Sequence, residues 1–177
     1  YNQYNFNGID TELEGKYRKG HFNGVATIVS KLFELFKPNQ AFFGEKDFQQ
    51  TQIVKRLIDL EKHKTKLIIC PTVREKNGLA MSSRNDLLSQ KNRENSSIIF
   101  HNLNYVKTHF KTTDFDQIIS KCIKSINSYD GFETEYFEIV DSFSLSKQKK
   151  YCENKSYRVF VSVIVDEVRL IDNILLN

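Results

Sequence analysis

The feature that most constrains the fold is a strand, a helix and a second strand in direct succession. Residues 41–43 and residues 67–70 are short apolar runs, closed by Gly44 and Pro71 respectively. The intervening residues 47–62 repeat apolar side chains at the spacing of an amphipathic helix. Such a βαβ unit makes its two strands parallel, with a right-handed crossover. Both strands therefore end at one edge of an α/β sheet, where ligands bind in open sheets of this kind.

The sequence on either side of this unit predicts two domains. Residues 24–36 are predicted to form an amphipathic helix, because the apolar spacing of a helix is followed by Val25, Ile28, Val29, Leu32, Phe33 and Phe36. After Val73 the pattern changes to helices followed by antiparallel strands, which is typical of an α+β domain. We therefore predict an α/β fold, with a partial Rossmann-like parallel sheet in residues 1–72 and a small α+β domain in residues 73–177.

Within the second region, residues 75–89 are polar and loop-like. The spacing from Thr113 to Asp116 resembles a capping box, which would open a helix there. The two residues Asp166 and Glu167 separate two alternating apolar segments, and this predicts a β-hairpin. The predicted elements are helices over residues 90–110 and from residue 115 onwards, and strands over residues 133–140, 157–165 and 168–171.

The composition argues against several classes of protein. The chain has 177 residues, of which 40% are hydrophobic and 27% charged, as is usual for a soluble globular protein. The formal charge is +4. A nucleic-acid-binding surface would need aromatic residues interleaved with the basic ones on one face, and the sequence shows no such patch. No run is long and apolar enough to span a bilayer. The three dispersed cysteines show no metal-ligand spacing and favour a reducing compartment, so we predict a cytoplasmic protein without a metal cluster.

Two polar motifs follow the predicted parallel strands. In the first, Lys46 is a mobile cation suited to phosphate oxygens, and Asp47 is a predicted N-cap at a helix end that favours anions. Gly44 is expected to permit a tight turn, and Gln50 lies one helical turn further on. The second motif comprises residues 71–75 and, after a short gap, residues 81–85, where the two hydroxyls and the guanidinium of Ser82-Ser83-Arg84 match phosphate geometry. Each motif alone is also compatible with an ordinary turn or a capping loop, but the fold brings both to one sheet edge.

The order of these motifs resembles the pantoate–β-alanine ligase (pantothenate synthetase) family. The resemblance runs through most of the chain and is most specific where Gly-Glu-Lys-Asp is followed by Ser-Ser-Arg-Asn. It implies a two-step ligation in which ATP activates pantoate as an adenylate, and β-alanine then displaces AMP. The matching segments are residues 20–25, 42–50, 71–75, 78–85 and 169–173.

The resemblance also implies roles for individual residues. Gln50 would hydrogen-bond pantoate, and Val73 would lie beside the adenine. Lys46 would in addition contact the transferring phosphate, with Ser82, Ser83 and Arg84 as catalytic partners. Ile28 and Val29 would contact the methyl groups of pantoate. The implied ATP site consists of Gly44, Glu45, Lys46, Asp47, Val73, Met81, Ser82, Ser83 and Arg84, with Mg²⁺ as the accompanying ion and a homodimer as the assembly of the full-length protein.

Two features depart from the family pattern. The family carries a His-x-Gly-His-type motif near its N-terminus, and this chain has none; His21 belongs to a later motif. Asn23 stands where arginine is common. The chain also begins at Tyr1 without methionine, so we expect a C-terminal portion that lacks the N-terminal nucleotide-binding half and is inactive alone. The alternatives are a non-catalytic nucleotide- or nucleic-acid-binding module related to class I nucleotidyltransferases, and adenylate chemistry on another small acid.

Overall fold

A two-stranded parallel sheet organises the first part of the chain. The computed structural model describes residues 3–177, which divide into two units: the first ends at Pro71 and the second spans Thr72–Asn177. In the first unit, β1 and β2 pair in parallel, with Gly44 opposite Cys70 at their carboxyl ends. The elements of this unit are α1 (Glu14–Tyr17), α2 (His21–Phe36), β1 (Gln40–Gly44), a 3-10 turn (Glu45–Asp47), α3 (Phe48–Glu61) and β2 (Lys66–Cys70). The predicted βαβ unit is therefore confirmed.

The predicted amphipathic helix is present as α2, but most of its apolar stripe is not buried. Ile28, Leu32 and Phe36 are 60%, 46% and 69% exposed, whereas Phe33 is buried. The buried line instead runs through Phe22, Ala26, Ser30 and Phe33. Small residues on this line allow α2 to pack closely against α3, and Ser30 donates a hydrogen bond to Glu61 on that helix. Periodicity locates an apolar stripe, but it does not say which side of the stripe a neighbouring helix covers.

A three-stranded antiparallel sheet forms the centre of the second unit. Its order is β3-β4-β5, and helices α5 and α6 pack against it. Alternate residues of β4 from Tyr157 to Val165 are fully buried in the core, as the sequence predicted. The elements are α4 (Gln90–Asn95), α5 (Ser97–His109), α6 (Phe115–Asn127), β3 (Phe132–Asp141), β4 (Tyr157–Val165) and β5 (Val168–Leu175). Together with the parallel sheet, this confirms the predicted fold class.

Three local predictions for this unit need correction. The single helix over residues 90–110 is two helices, because Ser96 interrupts it and bonds its hydroxyl to the carbonyl of Asn92. The cap of α6 is Asp114 and not Thr113, since the Asp114 carboxylate accepts from two backbone N–H groups. The segment 75–89, predicted as loop, contains a 3-10 turn over Ser83–Leu87. None of the helices in residues 3–177 combines the length and the apolar character that a membrane crossing requires.

The hairpin between β4 and β5 turns on two residues with left-handed backbones, Asp166 at φ 49° and Glu167 at φ 67°. In this conformation the carboxylate of Asp166 accepts hydrogen bonds from the side chains of Asn92 and Ser89. We expect Glu167→Gly to raise the free energy of unfolding by about 0.5–1 kcal/mol, because the steric cost removed exceeds the entropic cost of glycine. Urea unfolding followed by circular dichroism measures the change. Asp166→Gly is the control and should gain less, since it loses both hydrogen bonds; equal gains would contradict this account.

Candidate functional site

The first motif occupies the turn from the carboxyl end of β1 into α3. Glu45, Lys46 and Asp47 form a 3-10 turn directly after Gly44, and α3 starts at Phe48. Asp47 is at the N-cap position as predicted, but its side chain makes no capping hydrogen bond. The first backbone N–H groups of a helix have no partner within the helix and point out of its N-terminus. The start of α3 therefore offers hydrogen-bond donors to an anion.

Gly44 is not needed for backbone freedom, contrary to the prediction. Its φ of −74° is an ordinary extended value that any residue adopts. A Cβ built on Gly44 would meet no atom within 4 Å, so open space lies beside the end of β1. The absence of a side chain therefore leaves the backbone accessible at the edge where ligands bind to parallel sheets.

Two adjacent glutamines at the start of α3 have different environments. Gln49 is buried and donates to the carbonyls of Ile9 and Glu12 while accepting from the N–H of Glu14. Gln49 thus fastens the N-terminal segment to α3. Gln50 is half-buried and has no hydrogen-bond partner among residues 3–177, so its amide is available to a ligand.

The second motif begins with a short hairpin over residues 73–81. The N–H of Met81 donates to the carbonyl of Val73 over 2.9 Å, and the N–H of Glu75 donates to the carbonyl of Leu79 over 2.8 Å. Val73 and Met81 are thereby neighbours, and their side chains are 65% and 55% exposed. This hairpin delivers the chain to the 3-10 turn that carries Ser83 and Arg84.

Ser82 is the N-cap of that 3-10 turn. Its hydroxyl accepts from the N–H of Arg84 over 3.3 Å. Ser83 and Arg84 are exposed, and the Arg84 guanidinium has no partner among the described residues. The turn thus presents one hydroxyl and one fork-shaped cation on its outer side, a combination suited to phosphate oxygens.

Beneath this turn the carboxylate of Glu75 joins three segments of chain. It accepts two hydrogen bonds from Arg93 and one from the side-chain amide of Asn85. Arg93 also donates to Asp86 over 2.9 Å. A cavity of about 370 Å³ lies here, lined by Glu75, Met81, Ser82, Ser83, Asp86 and Arg93. Sequence reasoning missed Glu75, Asn85 and Arg93 as a cluster, because no local pattern links residues this far apart.

The Arg93 guanidinium holds the pKa of Glu75 below its ordinary value of 4.5, against the opposing effect of burial and with help from Asn85. A lowered folded-state pKa means that ionised Glu75 stabilises the fold above pH 4.5, and that this contribution is lost as pH falls through the lower value. We therefore expect the difference in unfolding free energy between wild type and Glu75→Gln to narrow as pH falls below 4.5. Urea titrations at several pH values measure it; a constant difference would contradict the assignment.

Arg74 and Asp172, which lie in two of the segments that match the family, form an ion pair that the sequence did not reveal. The guanidinium of Arg74 forms a bidentate ion pair with buried Asp172 and donates to the carbonyl of Gly78. It also lies 3.9 Å from the ring centroid of Phe100. Gly78 has a φ of 93°, and a Cβ there would approach the ring of Phe100 to 2.7 Å. These contacts fix the base of the 73–81 hairpin.

A cavity of the first unit lies away from the first motif. It has a volume of about 460 Å³ and is lined by Phe33, Lys37, Pro38, Lys62, His63 and neighbouring residues. Asn39 and Thr65, which also line it, precede β1 and β2, so the cavity is at the amino ends of the strands. Ligands of open α/β sheets bind at the opposite edge. Within residues 3–177 there is no group of three or more potential metal-ligating side chains.

Comparison with known proteins gives consistent matches. The family model described as Pantoate-beta-alanine ligase matches residues 1–175. The chain is 43% identical over 174 residues to pantothenate synthetase of Flavobacterium psychrophilum, and 44% identical over 172 residues to that of Azobacteroides pseudotrichonymphae. These alignments cover 98% and 97% of this chain but 62% and 61% of those proteins. The chain thus spans about three fifths of the length of these relatives.

Solved structures show the same similarity. Pantothenate synthetase from Thermus thermophilus superposes with a TM-score of 0.88 at 30% identity, covering 99% of this chain and 63% of that one. Pantoate-beta-alanine ligase from Francisella tularensis, complexed with beta-gamma ATP and beta-alanine, gives a TM-score of 0.72 at 31% identity. That match covers 99% of this chain and 57% of the Francisella protein.

Proposed function

Because the chain belongs to the pantoate–β-alanine ligase family, we propose that it carries part of the site at which such a ligase forms pantothenate. The pantoate carboxylate attacks the α-phosphorus of ATP, and the bond to pyrophosphate breaks. The amine of β-alanine then attacks the acyl carbon of pantoyl adenylate, loses a proton and expels AMP. The protein must hold two anions together in the first step, so its cations and N–H donors must offset their repulsion.

The observation that carries this proposal is the turn at the carboxyl end of β1. Gly44, Glu45, Lys46 and Asp47 lie between the strand and the N-terminus of α3, with open space beside Gly44. In this proposal the triphosphate approaches that backbone, and Lys46 stabilises charge on the transferring phosphate. Mg²⁺ is usually held by one or two carboxylates together with substrate phosphates. Asp47, which is exposed on this turn, is the carboxylate that we propose for it.

The two remaining groups of residues complete the proposed assignment. Gln50 hydrogen-bonds pantoate, since its amide has no partner among residues 3–177 whereas that of Gln49 is fully used. Ile28, which is exposed, and Val29 contact the methyl groups of pantoate. Val73 and Met81 lie beside the nucleoside, and Ser82, Ser83 and Arg84 contact phosphate oxygens.

The proposal also covers the cellular location, the assembly and the full extent of the protein. The three cysteines, Cys70, Cys122 and Cys152, are all free, which supports a reducing cytoplasm. The full-length protein is proposed to be a homodimer. The alignments reach about three fifths of the relatives' length, and no His-x-Gly-His-type sequence occurs in this chain. We therefore propose that the 177 residues form a C-terminal portion and need a preceding nucleotide-binding half for activity.

AMP release that depends on both pantoate and β-alanine tests the proposal. The full-length gene product should release AMP, whereas the 177-residue polypeptide should be at least about 100-fold slower, the usual cost of losing one charge-stabilising donor. Both proteins should be purified from a host whose own ligase gene is deleted. A full-length protein that binds ATP but releases no AMP with these substrates would overturn the ligase assignment. Activity of the shorter polypeptide at the full-length rate would overturn the dependence on further residues.

A further inference from the structure

We infer that Glu75 and Arg93 are positioning residues that hold the Ser82-Ser83-Arg84 segment in its phosphate-binding shape before ATP arrives. This inference rests on the proposed function. The segment emerges from the 73–81 hairpin, passes through the 3-10 turn over Ser83–Leu87 and leads into α4. Each of these three pieces contributes one side chain to the cluster below the segment: Glu75 from the hairpin, Asn85 from the turn and Arg93 from α4.

The contacts of Arg93 argue against a direct role in binding phosphate. Its Nε and Nη2 donate to the two oxygens of Glu75 over 3.0 and 2.9 Å, and its Nη1 donates to Asp86 over 2.9 Å. With two carboxylates around one guanidinium, the cluster has a formal charge of −1 and does not attract a triphosphate. Arg84, in contrast, is exposed and has no partner among the described residues. The two arginines therefore have separate tasks.

Asn85 transmits the constraint to the phosphate-binding residues. It is only 1% exposed and follows Arg84 directly in the chain. Its amide donates to Glu75 over 2.7 Å and to the carbonyl of Ala80 over 3.2 Å. Ala80 and Asn85 lie on either side of the segment, so the hydrogen bond between them sets the distance between its ends, and the bond to Glu75 ties Asn85 to the hairpin. Losing the Glu75 carboxylate would remove the second of these bonds and release Arg93 as well.

A segment held in this way loses little conformational freedom when it binds a ligand. Ordering a flexible loop costs binding free energy. At metal sites, residues that orient the ligating side chains typically contribute about 10–100-fold to affinity or activity, and we take the same scale here. We therefore expect Arg93→Met to lower kcat/KM for ATP about 10–100-fold in pantoate-dependent exchange of pyrophosphate into ATP. The KM for pantoate should change little, because Gln50 lies on α3. Arg93→Lys should recover part of the loss, since it keeps one charged donor.

A double-mutant cycle in the full-length enzyme separates positioning from direct contact. If Arg93 acts through Glu75, the variant with both Glu75→Met and Arg93→Met should be no more impaired than the worse single variant. Multiplicative losses would instead make Arg93 a direct contact and overturn the inference. Wild-type kcat/KM in Arg93→Met would overturn it as well. An inactive wild-type enzyme would bear on the proposed function alone.

Amide hydrogen exchange provides a test that does not depend on activity. In the 177-residue chain, Arg93→Met should speed exchange at residues 81–85, because the hydrogen bonds that close the turn open more often. Exchange in β4, which lies in the core of the same unit, serves as the control for overall stability. Faster exchange at residues 81–85 alone supports positioning. Unchanged exchange there, or an equal increase in β4, would refute it.

Discussion

Replacing Asp172 with alanine is expected to lower the free energy of unfolding of the second unit by about 3–5 kcal/mol. Asp172 is 3% exposed and forms a bidentate pair with Arg74, whose side chain is 17% exposed. Without the carboxylate, the guanidinium remains between Gly78 and the ring of Phe100 with its charge uncompensated. Breaking a buried pair is costly because the desolvation of the remaining charge is no longer offset.

An exposed ion pair of the same unit provides the matched control. Asp86 pairs with Arg93, but its side chain is 74% exposed, so Asp86→Ala should cost less than about 1 kcal/mol. The slowest amides of β4 report unfolding of the whole unit, and their exchange rates give the free energy for each variant. Urea titration followed by circular dichroism provides a second measurement. Equal costs for the two substitutions would show that burial does not decide the strength of the Arg74–Asp172 pair.

The elements that could be predicted are those whose signal is local and repeated. The βαβ unit followed from its apolar runs and helical spacing, and β4 followed from its alternating apolar residues, because each pattern lies within the element itself. The buried side of α2 could not be predicted in the same way. Its apolar stripe is broad, and contact with α3 through Ala26 and Ser30 selected one edge of it. The cap at Asp114 shows the same limit, since Thr113 and Asp114 offer equivalent chemistry one residue apart.

In the candidate site, too, only the features that are local in sequence could be predicted. The phosphate-binding residues proposed here lie in contiguous runs, and a run is visible in sequence. The pairing of Arg74 with Asp172 joins positions 98 residues apart, and Glu75 with Arg93 joins positions 18 apart. Nothing in the local pattern distinguishes Gln49, which is used in packing, from Gln50, which is available. Such distinctions depend on which partners the fold brings within hydrogen-bond distance.

Lys46→Met in the full-length enzyme is expected to lower kcat/KM about 100–1,000-fold in pantoate-dependent AMP release, with most of the loss in kcat. Methionine keeps most of the apolar stem of lysine and removes the charged ammonium group with its donors. Lys46 lies on the 3-10 turn before α3, at the carboxyl edge of the sheet. If it meets the transferring phosphate, the charge that it stabilises is greater in the transition state than in bound ATP, so the effect falls mainly on kcat.

Lys64→Met is the matched control for this prediction. Lys64 lies at the amino ends of the strands and lines the same cavity as Phe33 and His63. Because salt screens charges beyond about 10 Å, Lys64→Met should change kcat and KM by less than about twofold. A tenfold loss in both variants would indicate that net charge, and not position, governs catalysis. A rise in KM for ATP with unchanged kcat in Lys46→Met would mean that Lys46 binds the ground state and the transition state equally. The ligase proposal would then stand, but phosphate stabilisation would have to come from other groups, with the uncommitted guanidinium of Arg84 as the next position to replace.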